Sequence, residues 1–216
     1  MEHNPDTGTG ALQQLTQGAH VRQIPAGQII LYQGDTPLEV CILKDGVVKL
    51  YDIDEQGNEK ILHIVQPPTL VPFAFFSGMH DPLKWFYATL SDCEVYVLSA
   101  NELKLTMRAD PDLTETLATH FSSDVHELLT RLSSLSKTNA RDKVLAALKF
   151  LEARHATARR NGWRLVNFPV SHQLIADLCG ITRESAAVAM KELQNEKIIR
   201  YQRTTILEIQ SSGFEE

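Results

Sequence analysis

The 216-residue sequence has only three cysteines, Cys41, Cys93 and Cys179, far apart and without a CxxC pair. This spacing gives neither a disulfide framework nor a zinc site, so reduced, mostly buried thiols are expected and no metal is assigned. No apolar run approaches the roughly 20 residues of a membrane-spanning helix. The opening MEHNPDTGTG carries neither a basic start nor an apolar signal segment, so a cytoplasmic protein with no membrane partner is expected. P-loop, HExxH, nucleophile-elbow and paired catalytic carboxylate motifs are all missing, which leaves no residues to name for catalysis; the chain is not read as an enzyme. Positive charge is also short. The formal net charge is −6, which taken whole argues against a nucleic-acid partner.

That balance is uneven along the chain. Residues 1–136 hold 8 Lys and Arg against 18 Asp and Glu, a net of −10, whereas residues 137–216 hold 13 against 9, a net of +4. A basic segment in an acidic protein is the electrostatic footprint expected for a polyanion, although +4 is also within ordinary surface variation.

From Val21 to Ser99 short β-rich runs alternate with turn residues: VRQI then PAG, IILY then QGD, VCIL then KDG, VVKLYDI then DEQGN, EKILHIV then QPP, and a final strand in ATLSDCEVYVLS. Strands so regularly spaced, with turn glycines able to take positive φ, predict a small all-β barrel or sandwich. ANELKLTMRAD begins helical sequence. Between Asp112 and Ser136, Leu117, Phe121, Val125, Leu128, Leu132 and Leu135 are spaced 4, 4, 3, 4 and 3. That heptad seam is narrow and favours a partner helix, most simply a second copy about a twofold axis; a core helix within one chain is the alternative.

After the polar joint SLSKTNARD, a helical stripe carries Val144, Leu148 and Leu151 and fades at ARHATARRNG. In the following segment Ser171 can cap a short helix bearing Leu174, Ile175 and Leu178, Gly180 suits the left-handed position that closes it, and Thr182 can cap the next helix. Two helices across so tight a glycine turn make a helix-turn-helix, and Lys197–Tyr201 with Thr205–Ile209 form a hairpin wing. On the second helix Ala186, Ala189, Met190 and Leu193 share one apolar face, while Arg183, Glu184, Ala187, Val188 and Lys191 point elsewhere. In such a unit the second helix enters the major groove of DNA. Arginine donates to guanine O6 and N7 and glutamate accepts from cytosine N4, which makes Arg183 and Glu184 the expected base readers. Ser171, His172, Gln173, Thr182, Ser185, Lys191 and Arg203 are expected at phosphates. The bland alternative is that Arg183 and Glu184 pair with neighbours on a solvated first turn.

The order of β-rich domain, heptad helix, joint and winged helix-turn-helix resembles the cyclic-AMP receptor protein (CRP/FNR) family of transcription regulators. IADLCGITRESAAVAMKELQNEKIIRY looks like its IA-x-x-x-G-x-[ST]-R-E-[ST] helix-turn-helix pattern, and VCILKDGVVKLYDIDEQGNEKILHIV looks like the core of its effector barrel. The resemblance implies an α+β chain: a cyclic-nucleotide-binding-like β-barrel (a jelly roll, residues 1–110), a dimerisation helix (111–136) and a winged helix-turn-helix (137–216). It implies a homodimer on a roughly palindromic double-stranded DNA operator, with RNA polymerase as a further partner. It assigns base reading to Arg183 and Glu184 and a phosphate contact to Ser185. Position 188 departs from it: many members place an arginine there, whereas Val188 offers only apolar contact, for instance to a thymine methyl.

Members that bind a cyclic nucleotide carry a Gly-Glu pair followed by Arg-Ser or Arg-Thr, which hold the ribose hydroxyl and the cyclic phosphate. No Gly-Glu appears in TLVPFAFFSGMHDPLKWFYATL; Pro72 lies near the expected glutamate, and Leu83 and Lys84 near the expected arginine and hydroxyl. The proline also removes a backbone donor. An effector other than cyclic AMP, of unknown identity, is therefore expected if one binds at all. Phe73, Phe75, Phe76, Trp85, Phe86 and Tyr87 either line a pocket for it, with Lys84 as a point charge for an anion, or fill the barrel or pack on the dimer helix. No resident cofactor is expected. Three dispersed cysteines do not make an iron–sulfur site, and His63, His80 or Cys93 would each be a lone axial ligand for haem. Strand cysteines such as Cys41 and Cys93 usually serve as small buried hydrophobes, which argues against a thiol switch. A second class of function remains open, a ligand-binding sensor whose winged helix contacts protein instead of DNA.

Overall fold

The computed structural model describes residues 15–16, 19–73, 75 and 82–214. Phe76 and His80 lie outside the described residues. The chain divides into two compact units, residues 1–51 with 63–127 and residues 52–62 with 128–216.

Eight strands form the β-rich part: β1 (His20–Ile24), β2 (Ile29–Leu31), β3 (Glu39–Asp45), β4 (Val48–Ile53), β5 (Glu59–Val65), β6 (Thr69–Val71), β7 (Phe86–Thr89) and β8 (Cys93–Ser99). They pair into two four-stranded sheets, ordered β1-β8-β3-β6 and β2-β7-β4-β5. The expected jelly-roll barrel is what forms. Two details differ from the sequence expectation. ATLSDCEVYVLS is two strands in different sheets, because the chain turns at Leu90–Asp92; there Ser91 Oγ accepts from Val47 N–H at 3.0 Å and Asp92 from Ala26 N–H at 2.9 Å. The three-residue β6 is too short to show a periodicity. Gly46 closes the β3–β4 turn at φ +94°, and a Cβ there would sit 2.4 Å from the Asp92 carbonyl oxygen, so both backbone and space require glycine.

Helices α1 (Ala100–Ala109) and α2 (Pro111–Leu135) follow. Asp110 caps α2 by accepting from Leu113 N–H at 3.0 Å, and Pro111 takes the first helical position, where its missing N–H costs nothing. Val40, Ile42, Leu70, Phe75, Leu103, Leu113 and Leu117 make one apolar cluster. This corrects the expected seam at its first member. Leu117 is 3% exposed and belongs to the core of its own unit.

The second unit is built on α3 (Ala140–His155), α4 (His172–Cys179) and α5 (Arg183–Asn195) with a sheet ordered β11-β12-β10-β9. Asn139 caps α3, accepting from Asp142 N–H at 2.8 Å. β9 (Ala156–Ala158) and β10 (Trp163–Val166) occupy the stretch where the helical pattern fades. The wing strands β11 (Ile199–Arg203) and β12 (Ile206–Gln210) are as expected within one to two residues. Arg131, on α2, is 7% exposed and donates to the carbonyl oxygens of Ile61 and, at 2.7 Å, Leu178. The Leu178 carbonyl lies in the last turn of α4, where no intrahelical donor reaches it, so the guanidinium completes that helix end. Burial pulls the Arg131 pKa down to about 10, which still leaves it charged near neutral pH.

Arg131→Ala leaves both carbonyls without this donor and is expected to destabilise the second unit by ~1–3 kcal/mol, read as a lower thermal midpoint. Both bonds come from one nitrogen, Nη2, so Arg131→Lys, whose ammonium carries three donors on a shorter side chain, should recover part of the loss. All three thiols are buried, and burial pushes each pKa up, that of Cys179 to about 12. Iodoacetamide at neutral pH should therefore leave the native chain unmodified for hours and label three cysteines in denaturant, counted by intact mass. Rapid labelling of the folded protein would contradict the inert-thiol reading.

Candidate nucleic-acid interface

The turn between α4 and α5 is set by local chemistry. Ser171 Oγ accepts from Leu174 N–H at 3.0 Å and starts α4. Gly180 adopts φ 62°, ψ 41°, the left-handed conformation, and Ile181 N–H donates back to the Ala176 carbonyl at 3.1 Å. Thr182 Oγ1 then accepts from Ser185 N–H at 3.2 Å and starts α5. Two residues, Ile181 and Thr182, separate the left-handed cap from the next helix.

The faces of α5 divide sharply. Ala186, Ala189, Met190 and Leu193 are at most 3% exposed and form the bracing side, with alanine letting the helices approach closely. Arg183, Glu184 and Lys191 are exposed, Val188 is 61% exposed, and Ala187 is half-buried. Among the described residues, the side chains of Arg183, Glu184 and Lys191 form no ion pair or hydrogen bond. Other arginines of the same unit behave differently: Arg141 meets Glu196 at 2.6 Å, Arg164 meets Glu152 at 3.1 Å, and Arg200 meets Glu208 at 2.5 Å. Among the described residues Arg183 and Glu184 therefore do not pair with neighbours, and both stay solvated on the first turn.

The flanking polar residues vary more. Thr182 and Ser185 exchange a hydroxyl contact at 3.0 Å beside the N-terminus of α5, where the helix dipole favours a phosphate. Gln173 is exposed but holds Asp177 at 2.7 Å, so one of its donors is used along α4. His172 is half-buried with its ring edge-on to Tyr201 at 6.1 Å. Burial without a charged partner raises the Tyr201 hydroxyl to about 12. Arg203 is exposed at the end of β11. Sequence reading passed over Arg200, Gln202 and Glu208. The Glu208 carboxylate is 2% exposed, accepts from Arg200 and from Gln202 at 2.6 Å, and is roofed by Arg200 lying 4.0 Å from the Trp163 ring centroid. Only the cross-strand pairing of Arg200 with Glu208 reveals that group.

Along α2 the exposed apolar positions are Val125 (38%), Leu129 (60%), Leu132 (62%) and Leu135 (36%), while Phe121 and Leu128 are half-buried. Leu129 was not expected in the seam; the adjacent Leu128 and Leu129 satisfy the period almost equally, and only the fold decides between them. The aromatic set separates. Phe75 (4%) and Tyr87 (2%) are core residues, and the Tyr87 hydroxyl accepts from Phe73 N–H at 3.2 Å. Phe73 is half-buried, whereas Lys84 and Trp85 are exposed, with the Lys84 carbonyl bound by Gln33 at 2.9 Å. Phe75 packs in the cluster that includes Leu113 and Leu117 of α2, and Tyr87 is buried. His63 is buried, its ring 6.0 Å from that of Phe73. Among the described residues no three of His, Cys, Asp and Glu gather as a metal site.

Residues 21–110 match the cyclic nucleotide-binding domain family and residues 143–211 the Crp-like helix-turn-helix domain family. The chain is similar to the HTH-type transcriptional regulator ArcR of Staphylococcus haemolyticus, 26% identical over 88% of this chain and 82% of that protein. It is also similar to the transcriptional regulator SdrP of Thermus thermophilus, 27% identical over 86% and 88%. The solved structure of CLP, a c-di-GMP-responsive global regulator of Xanthomonas campestris, matches with a TM-score of 0.77 over 92% of this chain and 98% of that one; at 19% identity this shows the shared fold. A jelly-roll barrel followed by a helix-turn-helix with an unpaired Arg-Glu start, matched domain by domain and in the same order, places this chain in the CRP/FNR family as a DNA-binding transcription regulator.

Proposed function

We propose that this regulator acts as a cytoplasmic homodimer whose two α5 helices read successive major grooves of a roughly palindromic operator. The observation that carries the reading is the uncommitted state of Arg183, Glu184 and Lys191 on an otherwise well-packed helix. Polar side chains with no partner among the described residues keep their hydrogen-bonding capacity for base edges and phosphates. Arg183 and Glu184 read bases. Ser171, Thr182, Ser185, Lys191 and Arg203 hold the backbone, joined by His172 and Gln173 through whatever donor each leaves unused.

The exposed stripe Val125, Leu129 and Leu132 supports the homodimer. Spacings of 4 and 3 are those of a heptad seam, and three large apolar side chains in a row on one helix favour burial against a like surface. Twofold symmetry would then separate the half-sites by about 34 Å, one turn of B-DNA. RNA polymerase is the partner through which such binding alters transcription. Any small-molecule effector would differ from cyclic AMP, since the segment around Pro72 has no Gly-Glu pair and Leu83 and Lys84 lie near the positions of the expected arginine and hydroxyl. It would shift the population in which both reading heads have the operator spacing.

Selection from random duplexes with the full-length protein should yield a palindrome, bound with a steep salt dependence. On that operator Arg183→Ala is expected to relax preference at one base pair per half-site, at a cost of ~1–3 kcal/mol. Lys191→Ala should weaken all duplexes alike and lower the salt slope. A folded protein that prefers no duplex over random sequence would sink the proposal. For the dimer, Leu129→Glu with Leu132→Glu should give monomers at micromolar concentration in sedimentation analysis, with helix content retained in circular dichroism; persistence of the dimer would place the interface elsewhere.

A further inference from the structure

Val188 stands out in its surroundings. Among the described side chains from 140 to 213 it is the one large hydrophobic left exposed, at 61%, and it lies on the same face as the unpaired Glu184. Four residues apart, the two occupy consecutive turns of α5, with Cβ atoms about 5–6 Å from one another. Base pairs in B-DNA repeat every 3.4 Å or so. A helix lying in the major groove therefore presents Glu184 and Val188 to base pairs no more than about two steps apart.

The chemistry of the two side chains narrows what they can face. A carboxylate is repelled by guanine O6 and N7 and by thymine O4, and it accepts well from cytosine N4–H. An isopropyl group offers neither donor nor acceptor. Set against a purine N7, a guanine O6 or a bare cytosine edge, it would strip water from a polar atom without replacing the bond. The one feature of the major-groove edge that an isopropyl group complements is the methyl on C5 of a pyrimidine. That group belongs to thymine, and equally to 5-methylcytosine.

Building on the proposal that α5 reads DNA, we infer that Val188 makes each reading head sense a single pyrimidine C5-methyl group within about two base pairs of the cytosine held by Glu184. Specificity at that position turns on the methyl, not on the hydrogen-bonding edge of the base. A thymine and a 5-methylcytosine are then both accepted there, while uracil and unmodified cytosine are both penalised. Arginine at this position, by contrast, would demand guanine acceptors and be indifferent to the methyl.

The test uses the full-length protein and the duplex selected from random sequence. Each thymine of the half-site is replaced in turn by deoxyuridine, which removes only the methyl. One symmetry-related position should lose about fourfold in affinity per half-site, the effect of burying one methyl. At that position 5-methylcytosine should bind about fourfold more tightly than cytosine. Val188→Ala should bind the thymine operator more weakly and lose most of both differences. Deoxyuridine that is silent at every position, 5-methylcytosine no better than cytosine, or an undiminished methyl effect in Val188→Ala would each overturn the inference. Failure of the DNA-reading proposal itself would look different: no duplex, modified or not, would be preferred over random sequence.

Discussion

The close crossing of α4 and α5 at Gly180 is the constraint on which the functional surface depends. The left-handed backbone at φ 62° reverses the chain in two residues, so Thr182 must begin a helix almost immediately after Cys179 ends one. Near the turn the bracing face of α5 carries the small Ala186 and Ala189, at most 3% exposed, and farther along the helix it carries the larger Met190 and Leu193. Once that face is fixed, the opposite side of the helix is fixed as well. Arg183, Glu184 and Val188 project outward because Ala186, Ala189 and Met190 cannot. The Arg131 guanidinium binds the Leu178 carbonyl at this same C-terminal end of α4 and Ser171 caps the N-terminal end, so the brace is held at both termini.

Charge is partitioned on the same unit in a way that net charge does not convey. Arg141, Arg164 and Arg200 are tied to glutamates, and Arg200 also covers the Trp163 ring. These cations are committed to packing. Arg183 and Lys191 are not, and the glutamate between them, Glu184, is equally unengaged. A +4 excess spread over residues 137–216 is therefore less informative than which few side chains remain available. In water, exposed ion pairs contribute little stability. Their absence at the start of α5 costs the fold almost nothing and leaves the reading face open.

Helix α2 shows how one apolar repeat can serve two surfaces. Its first turns give Leu113 and Leu117 to the cluster around Val40, Ile42 and Phe75, whereas Val125, Leu129 and Leu132 farther along are uncovered. A period of 3.5 over 25 residues looks uniform in sequence, yet a straight helix of 3.6 residues per turn drifts against that repeat by ~20° per heptad. The seam must therefore either supercoil with a partner or pass from one neighbour to the next. Here the apolar stripe passes from the core of its own unit to an open face.

Much of this was legible from sequence because it rests on local chemistry. Turn glycines, the Ser171 and Thr182 caps and the apolar face of α5 are each dictated by a few adjacent residues. Those residues act in any context, and so the barrel, the helix-turn-helix and the wing could be read directly. What only the tertiary structure decided involves partners distant in the chain. It assigned Leu117 to the core and Leu129 to the open stripe, buried Phe75 and Tyr87 while leaving Trp85 outside, and brought Ile61 and Leu178 to Arg131 from 70 and 47 residues away. It also committed Arg200 to Glu208 while leaving Arg183 free. A periodic pattern shows that a face is apolar, and composition shows that a residue is charged. Which neighbour covers that face or neutralises that charge depends on long-range packing, and no window of sequence contains it.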